Sequence, residues 1–257
     1  MKIVAIFSDY DGTLSPLNVP REKARIPSEL YRLLDEISHI IPIAIITTKD
    51  LAFVKDKVPF AHAIAAICGL EIQVRGRIEV DNYVVERAKT VDKAYQEAII
   101  EVAKIDKKIF VERKTISKGI LVAFCIDWRL TDNWSNAHKK IKPILKRFDD
   151  IGLYVVEYTT HPFADIYAKR VDKGQAFKRL KEELEVIGPI MYLGDSEADN
   201  PAFDLADVSI GIKQQRNMPK LSCKYFLAFN ELSEFLYRLM DKGFEFEQNY
   251  PWLISKL

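Results

Sequence analysis

Residues 3–8 (IVAIFS) are apolar almost throughout, and the run stops at Asp9. A stretch this short, with no polar alternation, reads as a strand covered on both faces. Residues 41–46 and 64–67 repeat the pattern, closing at Thr47-Thr48 and near Gly69. Between the first two runs Leu30, Leu33, Leu34 and Ile37 share one helical face, with Ser28 placed as its N-cap. Residues 50–58 suit a short helix. Strand, helix, strand, helix, strand predicts a parallel sheet joined by right-handed crossovers.

The pattern changes after residue 72. Residues 73–80 alternate about Gly76 and read as a hairpin. A long amphipathic helix is expected over 84–105, strands over 109–112 and 120–126, a helix over 133–148, and strands over 154–158 and 164–167. Helix-strand-strand twice over is an antiparallel α+β arrangement. Parallel alternation resumes with a helix over 174–184, a strand over 190–193 ending at Gly194-Asp195, a short helix over 201–206, a strand over 208–212 and a helix over 231–242. The expected fold class is therefore α/β: a three-layer parallel-sheet core over 1–81 and 169–257, with an α+β domain inserted over 82–168. Residues 244–257, rich in aromatics, are expected to dock on the core.

Composition excludes several classes. With 38 Lys plus Arg against 37 Asp plus Glu, the net charge of +1 supplies no electrostatic reason for a nucleic-acid or anionic-membrane partner. No apolar run reaches the roughly 18 residues of a membrane span, and Met1 to Asp9 is too short for a signal peptide. Cys68, Cys125 and Cys223 form no CxxC pair and sit among apolar residues, which suits buried thiols in a reducing compartment. A cytoplasmic location is expected. His39, His62, His138 and His161 have no zinc-site spacing, and neither a P-loop nor GxGxxG occurs.

In an open parallel sheet, ligands bind beyond the carboxyl ends of the strands. There the sequence places Asp9 and Asp11 after the first strand, Thr47 after the second, and Asp195 and Asp199 after the fourth, with Lys173 opening the helix before it. Carboxylates, a hydroxyl and an ammonium converging on one crevice suit a hard cation and a phosphate. Mg²⁺ takes oxygen ligands, expected from Asp9, Asp11 (through its backbone carbonyl) and Asp195, with Asp199 holding a metal-bound water. Asp9 is the expected nucleophile, forming an aspartyl-phosphate. Asp11 is the expected general acid and then base. Thr47 and Lys173 are expected to hold phosphate oxygens. Taken singly, DxD could be an Asx-capped turn and Lys173 a surface cation; their joint, ordered occurrence at strand ends favours the site.

The motifs Asp9-Tyr10-Asp11-Gly12-Thr13-Leu14, Thr47, Lys173-Gly174 and Gly194-Asp195-Ser196-Glu197-Ala198-Asp199 resemble those of haloacid-dehalogenase superfamily phosphatases, whose core is a Rossmann-like sheet. The inserted segment resembles the type-2 cap of that superfamily, which closes over the site and supplies specificity. Within it the chain most resembles trehalose-6-phosphate phosphatases, on residues 9–16 (DYDGTLSP), Gly69-Leu70-Glu71, residues 111–114, residues 127–129 and residues 191–203. The resemblance implies Mg²⁺ as cofactor, a phosphorylated sugar as substrate, and Glu71, Glu112, Lys114 and Arg129 as substrate contacts. Thr48-Lys49 stands where that family has Gly-Arg, Asp127 where it has His, and Ala198 where relatives carry Thr or Asn. These departures touch the choice of sugar and leave the nucleophile, acid and metal ligands intact. Alternatives are a broad-range phosphatase, acting on sucrose phosphate, mannosyl-3-phosphoglycerate or phosphoglycolate, or a non-catalytic phosphosugar-binding protein.

Overall fold

In the computed structural model, which describes residues 1–17, 19, 23–159, 161–214, 220–248, 250, 251 and 253–255, strand β1 (Ala5–Ser8) is buried at every position. β2 (Ile43–Ile46) and β3 (Ala63–Ala66) follow on one side, each parallel to its neighbour. β4 (Glu71–Val74) returns antiparallel to β3, and β5 (Arg77–Val80) lies beside it. On the other side of β1 come β10 (Ile190–Gly194), β11 (Val208–Lys213) and β12 (Tyr225–Ala228), all parallel, then β13 (Ile254–Ser255), antiparallel. β1 is thus central, which is what an apolar run with no polar face requires.

Helices cover this sheet. α1 (Ser28–Ser38) buries Leu30, Leu33, Leu34 and Ile37. Its N-cap position is Pro27, not Ser28, and no side chain caps it; proline's fixed φ leads the chain into the first turn without a capping hydroxyl. α2 (Leu51–Val54) is capped by Asp50, whose carboxylate accepts the Phe53 N–H at 2.9 Å. α6 (Lys173–Glu183) is capped by Asp172, which accepts from Gln175. α7 (Asn200–Phe203) and α8 (Leu232–Asp241) complete the set. Phe7 packs edge-on against Phe177 at 5.0 Å, within a core that includes Ala176, Leu180, Tyr192 and Phe203. Each large apolar side chain so buried contributes about 1.5–3 kcal/mol.

Two compact units result: Met1–Ile78 with Asp172–Leu257, and Glu79–Val171. The second unit holds a four-stranded antiparallel sheet in the order β6-β7-β9-β8, made of β6 (Phe110–Thr115), β7 (Leu121–Asp127), β8 (Tyr154–Glu157) and β9 (Phe163–Tyr167). The single helix expected over 84–105 is two, α3 (Asn82–Glu86) and α4 (Ala88–Ile105). The break falls at Arg87, whose guanidinium reaches the carbonyls of Ile151 and Gly152 at 3.1 and 3.0 Å. α5 (Trp134–Asp150) starts from an Asn133 cap, and its Phe148 packs edge-on against Phe124 of β7. The mixed α/β architecture with a separate antiparallel sheet is the one expected.

β12 and β13 are additions to the expected element list. β13 has two residues, both exposed, and carries no readable pattern, whereas β12 is an apolar run as long as β1 that the sequence reading passed over. The described part of the aromatic tail packs on the first unit: Phe246 against Tyr225 at 5.4 Å and Tyr250 against Phe235 at 5.2 Å. All three cysteines are buried thiols. Among the described residues, no helix is long and apolar enough to cross a membrane.

Candidate active site

Asp9 follows β1 directly, and its backbone N–H donates to Leu193 of β10 at 2.9 Å. Parallel pairing sets the carboxyl ends of β1 and β10 side by side, with Ser8 opposite Leu193. Asp9 and Asp195 are therefore neighbours across the ladder although 186 residues separate them. Lys173, the first residue of α6, is 1% exposed and lies between two carboxylates: its Nζ is 2.8 Å from Asp9 Oδ1 and 2.7 Å from Asp199 Oδ1. One oxygen of each of Asp9, Asp195 and Asp199 lies within 4.8 Å of the others.

Asp199 is the brace of this cluster. Its Oδ1 accepts from Lys173 and from the Tyr192 hydroxyl at 2.7 Å; its Oδ2 accepts from the N–H groups of Asp195 and Ser196 and from Ser196 Oγ, at 3.1, 2.9 and 3.0 Å. A carboxylate offers about four lone-pair positions, and five donors occupy them. Gly194 makes this approach possible, since a Cβ there would stand 2.5 Å from the Asp199 carboxyl carbon.

The opposite wall is the turn after Asp11. The Leu14 and Ser15 N–H groups return to the Tyr10 carbonyl at 2.9 and 3.0 Å, and Thr13 Oγ1 donates to Asp195 Oδ1 at 3.2 Å. Asp11 Oδ2 is buried with no hydrogen-bond partner. Gly12 has φ +81°, and a Cβ there would lie 2.1 Å from Asp195 Oδ2. Gly12→Ala is expected to cost about 1–3 kcal/mol of stability, from the left-handed backbone and the clash together. Urea denaturation of the variant is the measurement.

Thr47 is buried in the loop after β2. Its Oγ1 accepts the Lys49 N–H at 3.1 Å, which leaves its own proton to donate. An unusual turn clips this loop in place: Ile67, Cys68 and Gly69 are all left-handed, with φ of 48°, 55° and 94°. The Ile67 and Cys68 N–H groups donate to the Lys49 and Thr47 carbonyls at 2.8 and 2.9 Å. A β-branched residue in that region is strained, and such strain marks functional loops. Nothing in the one-dimensional pattern signals it apart from Gly69.

The electrostatics follow from one ammonium shared among three buried carboxylates. Burial is the largest influence on Asp9; Lys173 opposes it, but Asp199 and Asp11 add to it, and the pKa is pushed up from 3.8 to about 7. Burial, then Asp9 and Asp199, hold Asp195 well above the usual carboxylate range. Burial works against the Lys173 ammonium, yet Asp199 and Asp9 outweigh it and keep it charged. An oxygen-only donor set, short of positive charge and carrying a buried unpartnered oxygen on Asp11, fits a hard divalent cation.

Glu71 is fully buried at the start of β4, paired in register with Ala66. Lys114 is not a surface charge: its Nζ forms a buried ion pair with Asp165 Oδ1 at 2.5 Å, and the Tyr158 and Tyr167 hydroxyls donate to the other Asp165 oxygen at 2.9 and 3.1 Å. Burial disfavours the Asp165 carboxylate, but Lys114 and the two hydroxyls hold its pKa below the ordinary value. Arg129 is exposed and donates to Asp127 at 2.7 Å. Glu112 stands opposite Cys125 on β6. Sequence reasoning missed Tyr192 and Gln214, whose spacing carries no signal.

A parallel-sheet core with a cluster of buried carboxylates at its strand ends, and an α+β unit inserted in it, defines a class. The sequence profile of the haloacid dehalogenase-like hydrolases matches residues 78–233, and the chain belongs to that family. Within the family its likeness is to phosphatases. A trehalose 6-phosphate phosphatase of Zea mays is 25% identical, the match taking in 94% of this chain and 71% of that protein. A probable trehalose-phosphate phosphatase of Arabidopsis thaliana is 26% identical over 93% of this chain and 68% of its own length. Among solved structures, a trehalose-6-phosphate phosphatase related protein shares the fold with a TM-score of 0.71 at 19% identity, over 93% of this chain and 98% of that one. The C-terminal domain of the C. albicans trehalose-6-phosphate phosphatase does so with a TM-score of 0.72 at 19% identity, over 93% and 92%.

Proposed function

We propose that this chain is a magnesium-dependent phosphomonoester hydrolase acting on a sugar phosphate, with trehalose 6-phosphate the first candidate. The observation that carries this reading is the buried Lys173 ammonium held between Asp9 and Asp199 beside a third carboxylate. An Asp9 oxygen attacks phosphorus, the bond from phosphorus to the sugar oxygen breaks, and the Asp11 carboxyl proton passes to that oxygen. Asp11, now a carboxylate, takes a proton from the water that attacks the aspartyl-phosphate. The bond from Asp9 to phosphorus then breaks and inorganic phosphate leaves.

Lys173 has three N–H donors and uses two on Asp9 and Asp199, so one remains for a phosphate oxygen. Thr47 donates a second hydrogen bond. Asp9, Asp195 and the Asp11 backbone carbonyl would hold magnesium, which when bound supplies the positive charge that lets a carboxylate approach a phosphate. Asp199, whose oxygens accept five hydrogen bonds, positions Lys173 and Asp195 and would hold a metal-bound water.

Likeness to the trehalose-phosphate phosphatases suggests the sugar, and Glu112 and Arg129 are the contacts to it that the sequence resemblance implies. The test is phosphate release from a panel of sugar phosphates with Mg²⁺ and with chelator. Glu112→Ala and Arg129→Ala should raise KM for trehalose 6-phosphate about tenfold, the loss of one charged hydrogen bond, and leave p-nitrophenyl phosphate unchanged. Equal effects on both substrates would count against the sugar, and no magnesium-dependent release from any of them would count against the hydrolase.

A further inference from the structure

Gln214, the residue after β11, fastens the turn that carries Asp11. Its Oε1 accepts the Leu17 N–H at 2.8 Å, and its Nε2 donates to the carbonyls of Gly12 and Ser15 at 2.8 and 3.0 Å. One side chain from the far end of the chain thus ties three backbone groups of a six-residue turn. Among the described residues, the turn's other hydrogen bonds run from the Gly12 N–H to Ser15 O, from the Leu14 and Ser15 N–H groups and the Ser15 hydroxyl to Tyr10 O, and from Thr13 to Asp195. Asp11 Oδ2 is buried with no hydrogen-bond partner, and Asp11 directly precedes the turn that Gln214 holds. A primary amide suits this task because it donates and accepts within one planar group. Glutamate lacks the donors and would face two carbonyls with a negative charge.

We infer that Gln214 is a positioning residue for proton transfer: its amide holds the turn over residues 12–17 so that the Asp11 carboxyl meets the leaving oxygen. The inference rests on the acid role proposed for Asp11. A misplaced acid harms reactions whose leaving group needs a proton and spares those whose leaving group departs as a stable anion.

Gln214→Ala and Gln214→Glu are compared with Asp11→Asn on trehalose 6-phosphate, whose alkoxide leaves poorly, and on 2,4-dinitrophenyl phosphate. The expected result is a fall in kcat of about 10–100-fold on the sugar phosphate and of less than about threefold on the aryl phosphate, with Asp11→Asn showing the same selectivity more strongly. Amide hydrogen exchange over residues 12–17 should accelerate in both Gln214 variants, by about tenfold for each bond lost. Gln214→Glu keeps the side-chain volume, so it carries the test if the alanine variant fails to fold. Equal losses on the two substrates, or wild-type rates on both, would overturn the inference. Wild-type protein inert toward both would bring down the phosphatase reading and the proton-transfer role with it, whereas unchanged exchange would overturn the clamp alone.

Discussion

Asp9→Asn will remove magnesium-dependent phosphate release, by on the order of 10⁴-fold or more, the scale on which loss of a nucleophile acts. The fold will survive it. Asparagine keeps an oxygen where Asp9 Oδ1 accepts from Lys173 at 2.8 Å, and it removes a charge that burial already disfavours, since the Asp9 pKa is pushed up to about 7. At pH 8 in chelator the variant should therefore be at least as stable as the wild type, measured by urea denaturation. An inactive variant that had also lost stability would leave the nucleophile role unproven, and an active one would exclude it.

Lys173→Met will have the opposite profile. It strands three buried carboxylates, and breaking a buried ion pair by removing one partner costs about 3–5 kcal/mol. Activity should disappear together with that stability. The pH dependence has a definite sign. Between 3.8 and about 7 the folded wild type binds more protons at Asp9 than the unfolded chain does, so metal-free stability falls as pH rises through that window. On the proposed reading, magnesium would bind the ionised carboxylates of the native state. It should raise the denaturation midpoint strongly at pH 8 and weakly at pH 5. A midpoint indifferent to magnesium at pH 8 would refute the cation site.

Much of the site was readable before any coordinates. Apolar runs of four to six residues that stop at a carboxylate mark buried strands and put Asp9 and Asp195 at their carboxyl ends. Helical periodicity after Lys173 placed the ammonium at a helix start. Less readable were the groups whose part depends on partners distant in the chain. Asp199 follows Asp195 by four residues, a spacing that does not announce its five donors, one of them from Tyr192 inside β10. Nor does the sequence announce that Lys114 pairs with Asp165, 51 residues on, within the second unit. The expected helix over 84–105 breaks at Arg87, whose side chain reaches Ile151 and Gly152, 64 and 65 residues on.

Local patterning determined the central strands and hence which side chains stand at the carboxyl edge of the sheet, because burial on two faces demands uninterrupted apolar runs and the chain must turn where they stop. Tertiary structure alone decided how the charges divide one ammonium among them, and that Gln214 holds the turn after Asp11. Hydrogen bonds and Coulomb forces act over a few ångströms in space, and separation along the chain does not encode that distance.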